Sequence, residues 1–213
     1  MNRFVVLSLS LVVLLWLTAC TTATTRVKNA PGRATVYEDP NSAGAVAGIG
    51  MESQDITSMT DQMMRDMLSN PLLTGRNPAP RVIVDAEYFY NEGSTRLNKN
   101  MITDRLRIDL NRASNGRMVF IGRHFSDMVA KERDLKRQGQ VTEGTLGSAK
   151  AQAGADFRLG GRITTQDAVS TSSSMASRYH LITFEMVDLE TGIIVWSGMY
   201  EFKKSAQDDI VYR

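Results

Sequence analysis

The chain has 213 residues, of which 42% are hydrophobic and 23% charged, and its formal net charge is +2. These proportions are typical of a globular protein with a buried core, and the near balance of charge does not favour a nucleic-acid or polyanion binder. The single cysteine excludes an internal disulfide and a metal site built from several cysteines.

The N-terminus has the pattern of an export signal. Arg3 precedes an apolar run over residues 4–17, which is shorter than the roughly 20 residues that span a bilayer. The sequence Leu17-Thr18-Ala19-Cys20 then resembles the lipobox of bacterial lipoproteins. That resemblance implies a signal peptide over residues 1–19, cleavage before Cys20, and acylation of its thiol and new amino group. The alternative is an uncleaved anchor helix with an incidental cysteine, which the small residues before Cys20 disfavour.

Residues 20–50 are small, polar and rich in glycine and proline. This composition predicts a flexible tether between the lipidated N-terminus and a single globular domain over residues 51–213. Residues 35–37 could form a short strand within the tether. Gly48-Ile49-Gly50 has the spacing of part of a phosphate-binding loop, but no strong strand precedes it, so we assign it to the tether.

Apolar residues at spacings of three and four predict four helices. The first begins near Asp55, a possible cap, and ends before Pro71; the second spans residues 101–113. The third spans residues 126–138, with Ser126 as a possible cap, and a short fourth helix ends at Gly154. The residues predicted to face inward are Met128, Val129 and Leu135 in the third helix and Leu146, Ala149 and Ala153 in the fourth.

The predicted strands cover residues 81–86, 118–121, 157–163, 178–189 and 193–202, and residues 91–94 are predicted to form a polar turn. A helix between the first two strands predicts that they are parallel, and Glu190-Thr191-Gly192 predicts an antiparallel hairpin. We expect an α/β (α+β) sandwich with a mixed sheet of about five strands flanked by helices. Gly160-Gly161 indicates a bulge or a close backbone approach within the sheet. The residues expected to be buried in the hairpin are Ile182, Phe184 and Met186.

Catalytic motifs are missing from the sequence, which has no HExxH, GxSxG or Walker pattern. His124 follows a strand, where a catalytic residue could lie, but it has no evident partner. His180 lies within a strand and is expected to be structural and half-buried. We therefore predict no catalytic residue, no metal site, no cofactor and no small-molecule substrate, and an envelope enzyme acting through His124 is the disfavoured alternative.

Two sets of charged residues allow more than one interpretation. Glu52, Asp55 and Asp61 could bind a hard cation, but their spacing is not that of a calcium loop, and helix capping and solvation explain them better. The second set lies in strand patterns and forms either a solvated sheet face or a basic patch that binds a protein partner. Its members are Arg158, Arg162 and Arg178.

Four segments resemble the LpoB-type lipoproteins that activate penicillin-binding proteins, over roughly residues 50–213. These are Glu52-Ser53-Gln54-Asp55, Gly154-Ala155-Asp156-Phe157, Thr191-Gly192-Ile193-Ile194-Val195-Trp196-Ser197, and the ending Gln207-Asp208-Asp209-Ile210-Val211-Tyr212-Arg213. Related curli-secretion and flagellar lipoprotein domains share some of them. The resemblance implies a fold similar to the N-terminal domain of TolB.

The resemblance also implies a non-catalytic role at the outer membrane. A protein of this family, anchored on the periplasmic face through lipid on Cys20, docks on a class A penicillin-binding protein and stimulates peptidoglycan synthesis. Thr21 follows the cysteine, where aspartate would favour inner-membrane retention, so the outer membrane is expected by resemblance. The alternative is a structural lipoprotein of an outer-membrane secretion or flagellar system. This sequence departs from the best-known members in its short tether, which holds only Pro31 and Pro40.

Overall fold

The computed structural model describes residues 32, 34–44, 48–142, 144, 151–170, 172 and 175–207. The chain divides into two units, Met1–Tyr37 and Glu38–Arg213, and the second contains the helices and strands described below. In the first unit, residues 35–37 do not form the predicted strand. The signal peptide, Cys20, Leu146, Ala149 and the tail 208–213 were assigned from sequence and lie outside the described residues.

Helix α1 (Ser53–Ser69) begins with a capping box formed by Glu52 and Asp55. The backbone N–H of Glu52 donates to Asp55 Oδ2 at 2.8 Å, as in a capping box whose N-cap residue is Glu52. Asp55 was predicted at the cap and lies instead in the first turn. The capping role expected for these two acids is confirmed. The helix ends as predicted before Pro71, which opens the short helix α2 (Pro71–Thr74).

Two further helices agree with the sequence in position. Helix α3 (Lys99–Ala113) follows the predicted span, and α4 (Ser126–Arg137) follows a 3-10 turn over Arg123–Phe125. The inward face predicted for α4 is wrong, because no residue of α4 is buried and Met128 and Val129 are exposed. Ser126 does not cap this helix; its hydroxyl donates to the Arg123 carbonyl. Residues 151–155, at the end of the predicted fourth helix, have no regular structure.

Within the described residues, the sheet has six strands: β1 (Arg81–Ile83), β2 (Phe89–Asn91), β3 (Val119–Phe120), β4 (Phe157–Ser170), β5 (Met175–Asp188) and β6 (Ile194–Gln207). Their order is β3-β1-β4-β5-β6, and β2 pairs with β4 farther along the edge that β1 occupies. The predicted parallel pairing of the first and second predicted strands is confirmed in β1 and β3, and so is the antiparallel hairpin of β5 and β6. The predicted turn at Asn91 is wrong, because this residue belongs to β2.

Helices α1 and α3 pack against each other and cover one face of the sheet. Methionines contribute much of the core on the helix side, at Met59, Met63 and Met67. The predicted burial of the hairpin residues is confirmed. Buried sheet residues on this covered face are Phe157, Leu159, Ile163, Ile182, Phe184, Met186 and Trp196.

Gly161 marks a close approach inside the sheet, as the sequence predicted. A Cβ at this position would lie 2.4 Å from the Thr183 carbonyl oxygen and 2.5 Å from the Phe89 ring. The Phe89 ring in turn stacks on Phe184, with 5.2 Å between ring centroids. The glycine therefore lets β2 approach β4 and lets an aromatic ring lie flat over the strand.

Candidate functional site

The sheet face opposite α1 and α3, here called the open face, carries polar and aromatic side chains of β4, β5 and β6. Strand partners share a face, and residues two apart along a strand do as well, so the register assigns Arg162, Thr183 and Met199 to this side. Within the described residues, none of the open-face side chains of these three strands is buried, whereas the covered face is largely buried.

A groove of about 470 Å³ lies on the open face, between β2 and the centre of the sheet. Tyr88 and Tyr90 line it on one side and are each about half exposed. Gly160 lines it from β4 and carries no side chain that would fill it. Leu181 and Thr183 of β5 line it further. The groove therefore offers aromatic and aliphatic contact area along a sheet that no described helix covers.

Charges of both signs border this groove. The side chain of Arg162 is 58% exposed, and its Nε lies 3.5 Å from Glu92 Oε1. Glu185, on the neighbouring strand, is also exposed and lines the groove. An exposed ion pair of this kind contributes little to stability. Arg162 and Glu185 are therefore available to a partner.

Arg158 also lies on the open face, but neighbouring carboxylates hold it. Its guanidinium pairs with Asp85 at 2.8 Å and with Glu87, and its side chain is only 16% exposed. Burial acts to lower the pKa of Arg158, but the hydrogen bonds that it donates to Asp85 and Glu87, together with their negative charges, outweigh burial and raise the pKa above its ordinary value. The guanidinium also lies over the Tyr88 ring, 4.5 Å from the centroid, and so supports one wall of the groove.

Arg178 lies on the covered face, away from the other two arginines. It pairs with Asp167 on the neighbouring strand β4, and Nη2 donates to Asp167 Oδ2 at 2.9 Å. Hydrogen bonding from Arg178 is the main reason that the pKa of Asp167 is lowered, against the opposing effect of burial. The three arginines therefore do not form one basic patch, because strand register places Arg178 on the opposite side from Arg158 and Arg162.

The end of the predicted tether contacts the covered face near Arg178. The Nε2 atom of His180 lies 2.9 Å from the Ile49 carbonyl oxygen, and Lys204 Nζ donates to the Gly50 carbonyl at 3.2 Å. Lys204 also pairs with Asp55 at 2.6 Å. The backbone N–H of Gly48 donates a hydrogen bond to the Glu52 carboxylate, and this bond is the main cause that lowers the pKa of Glu52. These contacts fix residues 48–50 to the domain.

The two histidines have different surroundings and contact different residues. His180 is 2% exposed, more buried than predicted, and stacks on Phe202 at 4.4 Å. His124 is exposed, and both ring nitrogens lie 3.4 Å from Arg107 Nη1. Across the described residues there is no group of three His, Cys, Asp or Glu side chains placed to hold a metal ion. Asp61, the remaining acid of the set considered as cation ligands, pairs with Arg65.

A family model described as "Peptidoglycan-synthase activator LpoB" matches residues 55–202. The chain belongs to the LpoB family. The match includes α1 from residue 55 onward, the whole sheet except the end of β6, and all residues that line the groove on the open face. No curated protein matches the sequence.

Solved structures similar to this LpoB-family chain include the LpoB C-terminal domain from Escherichia coli, at 20% identity and a TM-score of 0.41, covering 70% of this chain and 98% of that one. The Salmonella enterica LpoB C-terminal domain is 20% identical, with a TM-score of 0.39, covering 65% of this chain and 94% of that one. Lipoprotein GNA1162 from Neisseria meningitidis is 17% identical, with a TM-score of 0.31 and coverage of 62% and 88%.

Family membership confirms the resemblance seen in the sequence and does not favour the alternative of an assembly lipoprotein. An LpoB-family protein is an activator of a peptidoglycan synthase, and so a regulator rather than a catalyst. In the described part of the chain, no helix has both the length and the apolar character needed to cross a membrane. The groove was not predicted from the sequence. Tyr88 and Tyr90 are two positions apart on either side of Phe89, and in a strand this spacing places both tyrosines on one face, a signal that could have revealed the groove.

Proposed function

We propose that this chain is an outer-membrane lipoprotein that docks on a class A penicillin-binding protein and activates peptidoglycan synthesis. The family match supports a synthase activator, and it is the single observation that carries the proposal. The sequence Leu17-Thr18-Ala19-Cys20 supports lipidation at Cys20, and Thr21 supports retention at the outer membrane. Several acyl chains on one cysteine are enough for stable anchoring.

Activation requires that the domain binds an active conformation of the synthase more tightly than an inactive one. A ligand can shift a conformational equilibrium only by its difference in affinity for the two states. The tether limits where this can occur. Because residues 48–50 are fixed to the domain, only residues 20–47 would act as tether, with a reach of at most about 100 Å when extended and about 30 Å as a coil.

We place the docking surface on the open face of the sheet. This face combines half-exposed tyrosines, an exposed Met199 and the exposed Arg162, and these residue types are enriched at protein interfaces. Glu185 adds a negative charge. The open face is therefore complementary to a partner surface with charges of both signs rather than to a strongly acidic one.

The three arginines have different roles in this proposal. Arg162 contacts the synthase directly, because its side chain is exposed beside the groove. Arg158 acts through Tyr88, because its guanidinium packs against the Tyr88 ring. The carboxylate partners of Arg158 neutralise its charge. Arg178 contributes by joining β5 to β4 through its ion pair with Asp167.

The test combines the purified full chain with class A synthases from the same cell and follows glycan polymerisation and complex formation. We expect faster polymerisation with the wild type, and a loss of affinity of about tenfold or more for Arg162→Glu because a buried interfacial charge would be reversed. Arg65→Glu is the matched control, since Arg65 is an exposed, ion-paired arginine on α1. We expect it to activate normally.

Two results would contradict the proposal in different ways. If no class A synthase is bound or accelerated, the proposed partner is wrong. If the wild type activates a synthase and Arg162→Glu and Tyr90→Ala both keep full affinity with unchanged circular dichroism, the partner is right and the docking surface lies elsewhere.

A further inference from the structure

A second pocket lies between α4 and the loop that follows β3, apart from the groove on the open face. Its volume is about 330 Å³, which is within the range of small-ligand sites. One wall consists of α4 residues at spacings of three and four, namely Ser126, Val129, Arg133 and Lys136. The other wall consists of Ile121, Gly122, Arg123, Ala151, Gln152 and Ala153.

Three cations line this pocket, and in the described part of the chain no carboxylate pairs with any of them. Arg123 donates from Nη1 to Gln152 Oε1 at 3.3 Å and from Nη2 to the Ala153 carbonyl at 3.0 Å, both of which are uncharged acceptors. Arg133 and Lys136 are half-buried and form no ion pair with described residues. The nearby acid Asp134 pairs instead with Arg137, at 2.9 Å.

One polar atom of Arg133, a residue that lines this pocket, is left without a partner among the described residues. The Nε atom of Arg133 is buried and has no hydrogen-bond acceptor among the described residues. Buried donors are nearly always paired, because an unmade hydrogen bond is unfavourable, and more so for a charged group. The guanidinium of Arg133 therefore keeps donor capacity that no described residue uses.

The charge and the lining together define the ligand class. Three positive charges favour a group with at least two negative charges, whereas one carboxylate supplies only one. Arginine forks and a lysine ammonium are the side chains that bind phosphate oxygens. Ile121 and Val129 add apolar area beside the cations. The loop also follows the carboxyl end of β3, which pairs in parallel with β1, and ligands of open α/β sheets bind beyond such strand ends.

We propose that this pocket binds a phosphate monoester, with the phosphate between Arg133, Lys136 and Arg123 and the organic part against Ile121 and Val129. The site does not depend on the function proposed above, because none of its residues lines the groove on the open face. A phosphate monoester can come from a soluble metabolite or from a lipid headgroup, and the experiment separates the two.

The experiment titrates glycerol 3-phosphate into the full chain in a nonionic detergent and measures binding by calorimetry. We expect saturable binding, and a loss of affinity of about tenfold or more in Arg133→Gln and in Lys136→Gln. Lys131→Gln is the matched control, because Lys131 is an exposed cation on the same helix that does not line the pocket. It removes the same charge and should leave the affinity unchanged.

Two further arms fix the ligand. Succinate carries two carboxylates, and we expect it to bind more weakly than glycerol 3-phosphate. Phosphatidic acid added to the micelles should suppress the titration if a lipid phosphate is the ligand, with phosphatidylcholine as control; an unsuppressed titration assigns a soluble phosphate. Either result supports the site.

Three results would overturn the proposal. These are the absence of saturable binding, an equal loss in Lys131→Gln, which indicates unspecific charge attraction, and tighter binding of succinate. Circular dichroism melting checks the folding of each variant. If Arg133→Gln does not fold, Lys136→Gln decides, and full affinity in that variant would also refute the site.

Discussion

The indole Nε1 of Trp196 donates a hydrogen bond of 2.8 Å to the Asp66 carboxylate, which joins β6 to α1 between residues 130 positions apart. The same ring lies so close to Gly198 that a Cβ there would be 2.5 Å from ring atoms. Trp196 belongs to the segment 191–197 that carries part of the family resemblance. Its role is to fix the helix layer to the hairpin.

Removing the acceptor of this bond should weaken the attachment of α1. We expect Asp66→Ala to lower the free energy of unfolding by about 1–2 kcal/mol, because the nearly buried indole N–H loses its partner. Urea unfolding followed by circular dichroism measures the change. Asp61→Ala, on the same helix, removes only an exposed ion pair and should cost well under about 1 kcal/mol. Equal effects in the two variants would refute the role of the indole bond.

Neighbouring glycines in β4 provide a matched test of the close approach. Gly161→Ala places a methyl group against the Thr183 backbone carbonyl and the Phe89 ring, so we expect a loss of about 1–3 kcal/mol or more. In Gly160→Ala the nearest atom is the Tyr88 carbonyl oxygen at 3.5 Å, an ordinary contact. Thermal unfolding should show a much smaller shift for this variant, and a larger shift there than in Gly161→Ala would contradict the packing described.

Acidification should destabilise the domain through His180. Burial lowers the pKa of His180, and this effect outweighs that of the hydrogen bond to Ile49, which raises the pKa. The charges of Arg178 and Lys204 lower the pKa further, whereas the charge of Asp55 raises it. The unfolded chain keeps a pKa of about 6.5, so it binds a proton first as pH falls. The stabilisation is thus complete above that pH and is lost as pH falls through the lowered pKa of the folded state.

The measurement is the melting temperature between about pH 8 and pH 5. We expect the dependence on pH in this window to be smaller in His180→Gln than in the wild type. His124→Gln replaces the exposed histidine and serves as control, with a pH profile parallel to the wild type. If His180→Gln keeps the full pH dependence, His180 is not the titrating group.

The anchor can be tested apart from the domain. We expect Cys20→Ser to abolish lipid attachment, because serine offers no thiol for acylation, and to move the protein from the membrane to the soluble fraction. Mass spectrometry of the N-terminus and fractionation of cells check this. The purified variant should still activate the proposed synthase partner in solution, since the proposed docking surface is unchanged. If the wild-type protein stays at the membrane with an unmodified Cys20, the result would favour the uncleaved anchor helix.

Local pattern was sufficient to predict most elements of this fold. The methionine spacing in α1, the apolar spacing in α3 and the turn at Glu190-Thr191-Gly192 each depend on neighbours a few residues apart. The inward face of α4 was predicted wrongly for a related reason. Met128 and Val129 have helical spacing, but spacing does not say whether another layer exists to cover them.

The sequence by itself determined the family and the alternation of residues along each strand, and it predicts an export signal. Only the tertiary structure decided which arginines share a face, because that depends on the register between β4 and β5, which pairs Arg178 with Asp167. The same holds for Lys204, which reaches Gly50 from 154 positions away. Side-chain periodicity is a local property of the backbone, whereas register and long-range contacts are set by how the whole core packs.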